Sequence, residues 1–127
     1  MENLQVIRIE NKQGVGCFAA KAGKNAYALI PDACDRHFVG KDSYKMQFPT
    51  PRQEKLNLYE DGYEWFCAFK NIKQLNKLFL PNEIKTLIEN NFDIYLLTVS
   101  NYQKGRRQII FTKESIITKQ NINSLFV

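Results

Sequence analysis

The residues best suited to ligand chemistry are arginines that stand close to aromatic and amide side chains. Tyr102, Arg106 and Arg107 lie in or beside a predicted turn near the C-terminal end, and Arg52 ends a stiff Pro-Thr-Pro loop. Arginine forks bind phosphate oxygens in pairs, and an aromatic face can stack a base, so this combination fits a nucleotide pocket or a nucleic-acid surface. The alternative is a solvated hairpin tip. The candidate ligand-binding residues are Arg36, Phe48, Arg52, Phe92, Asn101, Tyr102, Arg106 and Arg107.

A glycine-rich stretch over residues 14–25 invites comparison with a phosphate-binding loop, but its spacing fails. A Walker loop needs Gly, four residues and then Gly-Lys-Ser/Thr, whereas Phe18 stands at the first glycine position and Asn25 at the hydroxyl position. We therefore expect these glycines to serve a hairpin turn.

Cys34 and His37 have the spacing of half a zinc site, or of a nucleophile beside a base. The other cysteines, Cys17 and Cys67, form no paired knuckle with them, and cysteine is often buried as a small hydrophobe. No pair of carboxylates and no nucleophile-elbow motif stands out in the chain. The expectation is a protein without catalytic residues, metal ligands or cofactor, and therefore not an enzyme.

The charge balance favours anionic partners. The 127 residues carry 18 Lys and Arg against 13 Asp and Glu, a net charge of +5. Residues 101–119 are basic and residues 56–64 are acidic, so the positive field concentrates toward the C-terminal end. A solvated soluble surface explains the same balance. A mimic of the DNA backbone would be strongly acidic, which this chain is not, so the charge balance argues against that class.

Length and cysteine usage indicate one domain in a reducing compartment. A chain of 127 residues fits a single domain, predicted over residues 1–127. No apolar run is long enough for a membrane span, and the first residues lack the pattern of a signal peptide. Three widely spaced cysteines do not form a disulfide framework, so we expect a cytoplasmic protein without membrane partners.

The patterning predicts an α+β fold, an antiparallel sheet with two short helices packed on one face. Strands are predicted over residues 6–10, 15–20, 63–69, 92–99 and 108–112, with the first two and the last two forming hairpins. Asn71 is a predicted N-cap, Pro81 suits the first turn of a second helix, and Asn90-Asn91 suits its end. Residues 26–47 favour no element type.

Four segments together resemble small accessory proteins of bacteriophages that infect low-GC Gram-positive bacteria. They run over residues 48–52, 67–79, 92–99 and 107–111. Among such proteins the chain is most similar to the phage Thoeris anti-defence sponges. The resemblance implies an oligomer that sequesters a cyclic ADP-ribose-type signalling nucleotide in the host cytosol without cleaving it. No binding residue is carried over from that family.

Three other functions stay open beside sequestration. Small size, a basic face and the lack of a catalytic motif also fit an inhibitor of a bacterial defence nuclease, of the anti-CRISPR kind. The basic and aromatic residues fit a small nucleic-acid-binding accessory protein. A hydrolase or transferase would have to use Cys34 or His37.

Overall fold

The structure is a computed structural model that describes residues 2–19, 25–37 and 54–127, without the side chains of residues 34–36. Its strands are β1 (Leu4–Asn11), β2 (Trp65–Phe69), β3 (Phe92–Val99), β4 (Tyr102–Lys104), β5 (Gln108–Thr112) and β6 (Ile116–Asn121). Its helices are α1 (Ala26–Leu29), α2 (Pro31–His37), α3 (Ile72–Leu78) and α4 (Pro81–Glu89). Single 3-10 turns cover Glu60–Gly62, Lys113–Ser115 and Asn123–Leu125. The α+β prediction is confirmed.

All six strands are antiparallel neighbours in the order β4-β5-β2-β1-β3-β6. The first strand therefore lies near the centre of the sheet, where Leu4 pairs with Val99 and Asn11 with Phe92. Both predicted hairpins are wrong. In the described part of residues 15–20 only a bridge from Gly16 to Glu10 forms, and β5 pairs with β2 and β4 instead of β3.

One face of the sheet carries the four described helices and the larger core. Because strand side chains alternate, Ile7 and Ile9 of β1 point to this face together with Phe92 and Ile94 of β3. The helices contribute small and aliphatic residues, among them Ala26, Ala33, Leu75, Leu78, Ile84 and Leu87. Helices this short gain little from propensity alone, so their stability comes from this shared packing.

Local capping signals mark α3 and α4 as predicted. The Asn71 side chain accepts a hydrogen bond from the Gln74 N–H at 2.8 Å, which caps α3. Pro81 begins α4, and Glu83 accepts the Leu80 N–H at 2.8 Å. Asn91 follows α4 with φ of 71°, a left-handed conformation that asparagine tolerates better than most residues.

The other face of the sheet is concave and buries a core made of strand residues. Only Ser100 and Asn101 separate β3 from β4, although the sheet order places three strands between them. The sheet must therefore curl, and the Ser115 hydroxyl donates to the Asn101 carbonyl at 3.3 Å, which links the β5–β6 connection to the β3–β4 connection where the ends meet. Inside the curl lie Val6, Ala68, Leu97, Val99, Ile109 and Phe111.

No helix in the described part of the chain is both long enough and apolar enough to cross a membrane.

Candidate functional site

The turn between β4 and β5 is held from one side by a carboxylate that is distant in sequence. Glu54 accepts the backbone N–H of Arg107 at 2.8 Å and that of Gln108 at 2.9 Å. A side chain at Gly105 would place its Cβ 2.6 Å from the Glu54 carboxylate, so glycine lets the carboxylate approach closely. Because both N–H groups meet one half-buried anion, the turn has a single defined shape.

Side chains near the start of α3 hold the same turn from the other side. Lys70 donates to the Arg106 carbonyl, and Gln74 donates to the Arg107 carbonyl. Gln74 also accepts the Lys70 N–H at 2.7 Å, and its own N–H bonds the Asn71 cap. The capped end of α3 is thus tied directly to the arginine turn.

Positive charge accumulates at this turn, and we call the group the basic corner. It comprises Lys70, Lys104, Arg106 and Arg107. Among the described residues, four basic side chains stand here against one carboxylate, Glu54, a net charge of +3. The Arg106 side chain is exposed and makes no hydrogen bond or ion pair within the described residues. The backbone of the corner is therefore fixed, while its most exposed guanidinium remains available.

An exposed aromatic residue lies beside the strand that leads into the basic corner. Gln103 of β4 exchanges two hydrogen bonds with the Asn57 backbone, at 2.9 and 2.8 Å. The Asn57 side chain accepts the Tyr59 N–H at 2.9 Å, and the Tyr59 side chain is 85% exposed. Tyr59 stands outside any motif, so it was not among the residues predicted to bind a ligand. Its place beside β4 depends on pairing across 46 positions.

Two predicted ligand residues are engaged in closing the sheet, although Lys104 Nζ of the basic corner lies 5.9 Å from the Tyr102 ring centre. The Tyr102 ring packs on the concave core, and its hydroxyl donates to the Glu2 carbonyl at 2.8 Å. The Asn101 carbonyl joins the ends of the curled sheet by accepting the Ser115 hydroxyl. Both residues serve closure of the sheet.

Of the other predicted residues, the structure describes the side chain of Phe92 alone, and it lies away from the corner. Phe92 is 2% exposed in the helix-side core, and it pairs with Asn11 at the end of the sheet opposite to the arginine turn. A residue so deeply buried presents no face to a ligand. Phe48 and Arg52 lie outside the described residues, as does the side chain of Arg36, whose backbone belongs to α2.

The described cysteine thiols are buried, and both ring nitrogens of His37 contact other protein groups. Burial raises the pKa of Cys17 to about 12 and also raises that of Cys67, so both thiols stay protonated. The Leu78 carbonyl lies 2.7 Å from His37 Nε2, and the Tyr27 hydroxyl lies 2.9 Å from Nδ1. Both ring nitrogens therefore have protein partners. The described residues contain no cluster of three or more His, Cys, Asp or Glu side chains able to hold a metal.

A buried ion pair lies at the opposite end of the sheet. Arg8 is 5% exposed and Glu10 is 4% exposed, and Arg8 Nε donates to Glu10 at 2.9 Å. Arg8 also donates to the carbonyls of Cys67 and Gly14, and its guanidinium lies 5.3 Å from the Phe66 ring centre. The alternation in β1 could have revealed the pair, because it puts Val6, Arg8 and Glu10 on one face.

Three lysines surround this pair at the open end of the curl. Lys119 binds Glu10 and lies 4.2 Å from the Tyr95 ring centre. Lys113 lies 4.3 Å from the Phe66 ring centre, and Lys12 pairs with Asp93 at 2.7 Å. We call the six charged residues the charged mouth: Arg8, Glu10, Lys12, Asp93, Lys113 and Lys119. Four basic groups against two carboxylates leave a net charge of +2.

The carboxylates of the charged mouth are stabilised in their ionised form. Burial raises the pKa of Glu10, but hydrogen bonds and charge from Lys119 and Arg8 outweigh it, so the pKa lies below its ordinary value. Burial likewise raises the pKa of Asp93, while Lys12 and Asn123 lower it further than burial raises it.

Comparison with known proteins identifies the family. The family model described as Bacteriophage T4 Y00F protein matches residues 1–124. The chain belongs to this Y00F family. The match confirms the expected phage origin, but it does not extend to the Thoeris sponges that the sequence resembles. No curated protein and no solved structure matches the Y00F-family chain significantly.

Proposed function

We propose that this Y00F-family protein binds a phosphate-bearing nucleotide at the basic corner without changing it, and so withholds it from host defence signalling. The observation that carries the proposal is a turn whose backbone is held by Glu54, Lys70 and Gln74 while the Arg106 guanidinium is unpaired within the described residues. A ligand that binds such a turn does not have to order it first, so less free energy is lost on binding.

The chemistry of the corner suits a phosphate beside a base. Guanidinium groups bind phosphate oxygens bidentately, and Lys104 adds a point charge next to the turn. Tyr59 presents an exposed ring beside β4, on the edge of the sheet that bears the arginines. It therefore replaces Tyr102 and Phe92 as the aromatic surface that a base would stack on.

The raised pKa values of the described thiols and the two hydrogen-bond partners of His37 support binding of a nucleotide without turnover. A thiol needs a lowered pKa to act as a nucleophile, whereas burial raises the pKa of both Cys17 and Cys67. His37 has protein partners at both ring nitrogens, so it is poorly placed to serve as a general base.

The resemblance to Thoeris sponges makes a cyclic ADP-ribose-type signal the first ligand to test. Its diphosphate would take Arg106 with Arg107 or Lys104, and its adenine would take Tyr59. The basic corner is exposed on a single copy, and tight binding of a small ligand requires enclosure. The proposal therefore includes a homo-oligomer in the host bacterial cytosol, in which a second copy closes the site.

A capture-and-release assay tests the proposal. Purified protein is mixed with cyclic ADP-ribose isomers and cyclic oligonucleotides, and the free and heat-released fractions are read by mass spectrometry. We expect one nucleotide to leave the free pool and to return intact on heating. A nucleotide that returns as a product would make the protein an enzyme. No depletion would overturn the proposal and favour a protein target such as a defence nuclease.

Arg106→Ala is the decisive variant for the location of the site. Loss of a charge-assisted contact should weaken nucleotide binding at least about tenfold. The unfolding free energy should change by less than about 0.5 kcal/mol, because the side chain is exposed and the turn is held through its backbone. Lys85→Ala on the exposed side of α4 is the matched control. Unchanged nucleotide binding in Arg106→Ala would remove the basic corner from the site.

A further inference from the structure

We infer that the charged mouth is a second binding surface, separate from the basic corner, and that it takes single-stranded nucleic acid. Two half-buried aromatic rings lie there, Phe66 on β2 and Tyr95 on β3. Each ring is covered by a lysine, Lys113 and Lys119 respectively. Aromatic rings flanked by basic side chains are the elements with which proteins hold single strands independently of sequence.

The lysines that cover the rings are displaceable. Lys113 and Lys119 are both exposed, and an exposed cation over a ring contributes less than a base stacked on that ring. A base that replaces each lysine therefore gains stacking, while the displaced ammonium group becomes available for the neighbouring phosphate. The exchange also takes Lys113 from the Gly14 carbonyl and Lys119 from Glu10, which stays paired with Arg8, so that contacts with the strand replace these internal contacts.

The remainder of the mouth is fixed, so the exchange leaves the sheet unchanged. Arg8 is held by Glu10 and by the carbonyls of Cys67 and Gly14, and it supports the Phe66 ring from within. Tyr95 is held through its hydroxyl, which donates to Asp93 at 3.3 Å. The rings are thus positioned before a strand arrives.

The positive charge of the mouth alone does not distinguish a nucleic acid from an acidic protein. The two aromatic rings make that distinction. Four basic groups against two carboxylates attract either partner by charge. Stacking distinguishes them, because an unpaired strand offers base faces that neither an acidic peptide nor a duplex offers.

Fluorescence anisotropy with a labelled oligothymidine of about 12 nucleotides tests the inference. Binding should weaken steeply between about 50 and 200 mM salt, with a slope of about 0.7 for each phosphate contact. Lys113→Ala combined with Lys119→Ala should lower the slope by about 1.4 and the affinity by about tenfold. Lys119→Arg should keep binding, and Lys85→Ala should leave it unchanged.

Ring variants and competitors decide between stacking and simple charge attraction. Phe66→Leu or Tyr95→Leu should each weaken binding at least about fivefold, with folding verified by thermal melting. An abasic strand and a duplex should compete poorly. Equal competition by abasic strand, duplex or polyglutamate would overturn the inference, as would oligothymidine binding that is absent or insensitive to both lysines.

Discussion

The two ends of the sheet use basic residues in opposite ways. At the basic corner the backbone is fixed by Glu54, Lys70 and Gln74, and the Arg106 side chain stays in solvent. At the charged mouth the side chains themselves are occupied, since Arg8 binds Glu10 and two carbonyls. The first end can accept a ligand without breaking a contact, while the second must exchange one contact for another.

This difference separates the roles of charge in the molecule. A buried ion pair is costly to desolvate and holds only while all of its partners remain, so the mouth depends on Arg8 and Glu10 for stability. An exposed arginine adds little to folding, so Arg106 can be retained for binding alone. Variants at the two ends should therefore change different measurements.

The largest expected effect is on folding, at the mouth. Arg8→Ala leaves Glu10 buried with Lys119 as its remaining cation, and breaking a buried pair in this way costs about 3–5 kcal/mol. Urea denaturation measures the loss of unfolding free energy. Arg106→Ala is the control and should unfold like the unmodified protein. A loss below about 1 kcal/mol in Arg8→Ala would contradict a structural role for the pair.

A smaller effect is expected at the held turn. Glu54→Ala removes the acceptor for the N–H groups of Arg107 and Gln108 and should lower the unfolding free energy by about 1–2 kcal/mol. Glu54→Gln keeps one acceptor oxygen and should lose less. Hydrogen exchange at Arg107 and Gln108 should quicken in both variants. Unchanged exchange would show that Lys70 and Gln74 hold the turn without Glu54.

The smallest expected effect is a loss of folding stability at low pH. The pKa values of Glu10 and Asp93 are lowered in the folded state, so their ionised forms stabilise it. That contribution is complete above the unfolded values near about pH 4 and is lost as pH falls through the lower folded values. Urea midpoints should therefore drop below about pH 4, and less steeply in Lys119→Ala. Equal slopes in both proteins would contradict the role of Lys119.

Features set by neighbouring residues could be predicted from the sequence. Asn71, Pro81 and Asn91 define the ends of α3 and α4 by local hydrogen bonds and backbone preferences, and β3 is a long apolar run. The sheet order could not be predicted, because the partners of β1 are distant in sequence. The turn after Asn11 leads only to an isolated bridge between Glu10 and Gly16, and not to a second strand. Helices α1 and α2 are too short to show a period of their own.

The candidate site, too, has features that the local sequence predicts and features that depend on distant residues. The arginine turn was visible as a cluster of residue types, yet its rigidity comes from Glu54, which lies 53 positions before Arg107. Tyr59 is linked to β4 through Asn57 and Gln103, which are 46 positions apart. Nucleotide binding, oligomerisation and the absence of catalysis stay predictions until they are measured.

The central position of the first strand has a consequence for synthesis on the ribosome. Leu4 must wait for Val99, 95 residues later, before the middle of the sheet can close. At about 5–20 residues per second, β1 remains without β3 for about 5–20 seconds after it emerges. Strands that are so far apart in sequence also pair slowly during folding. The nascent chain thus carries β1 without its β3 partner until Val99 has been translated, which makes β1 a segment that chaperones would bind.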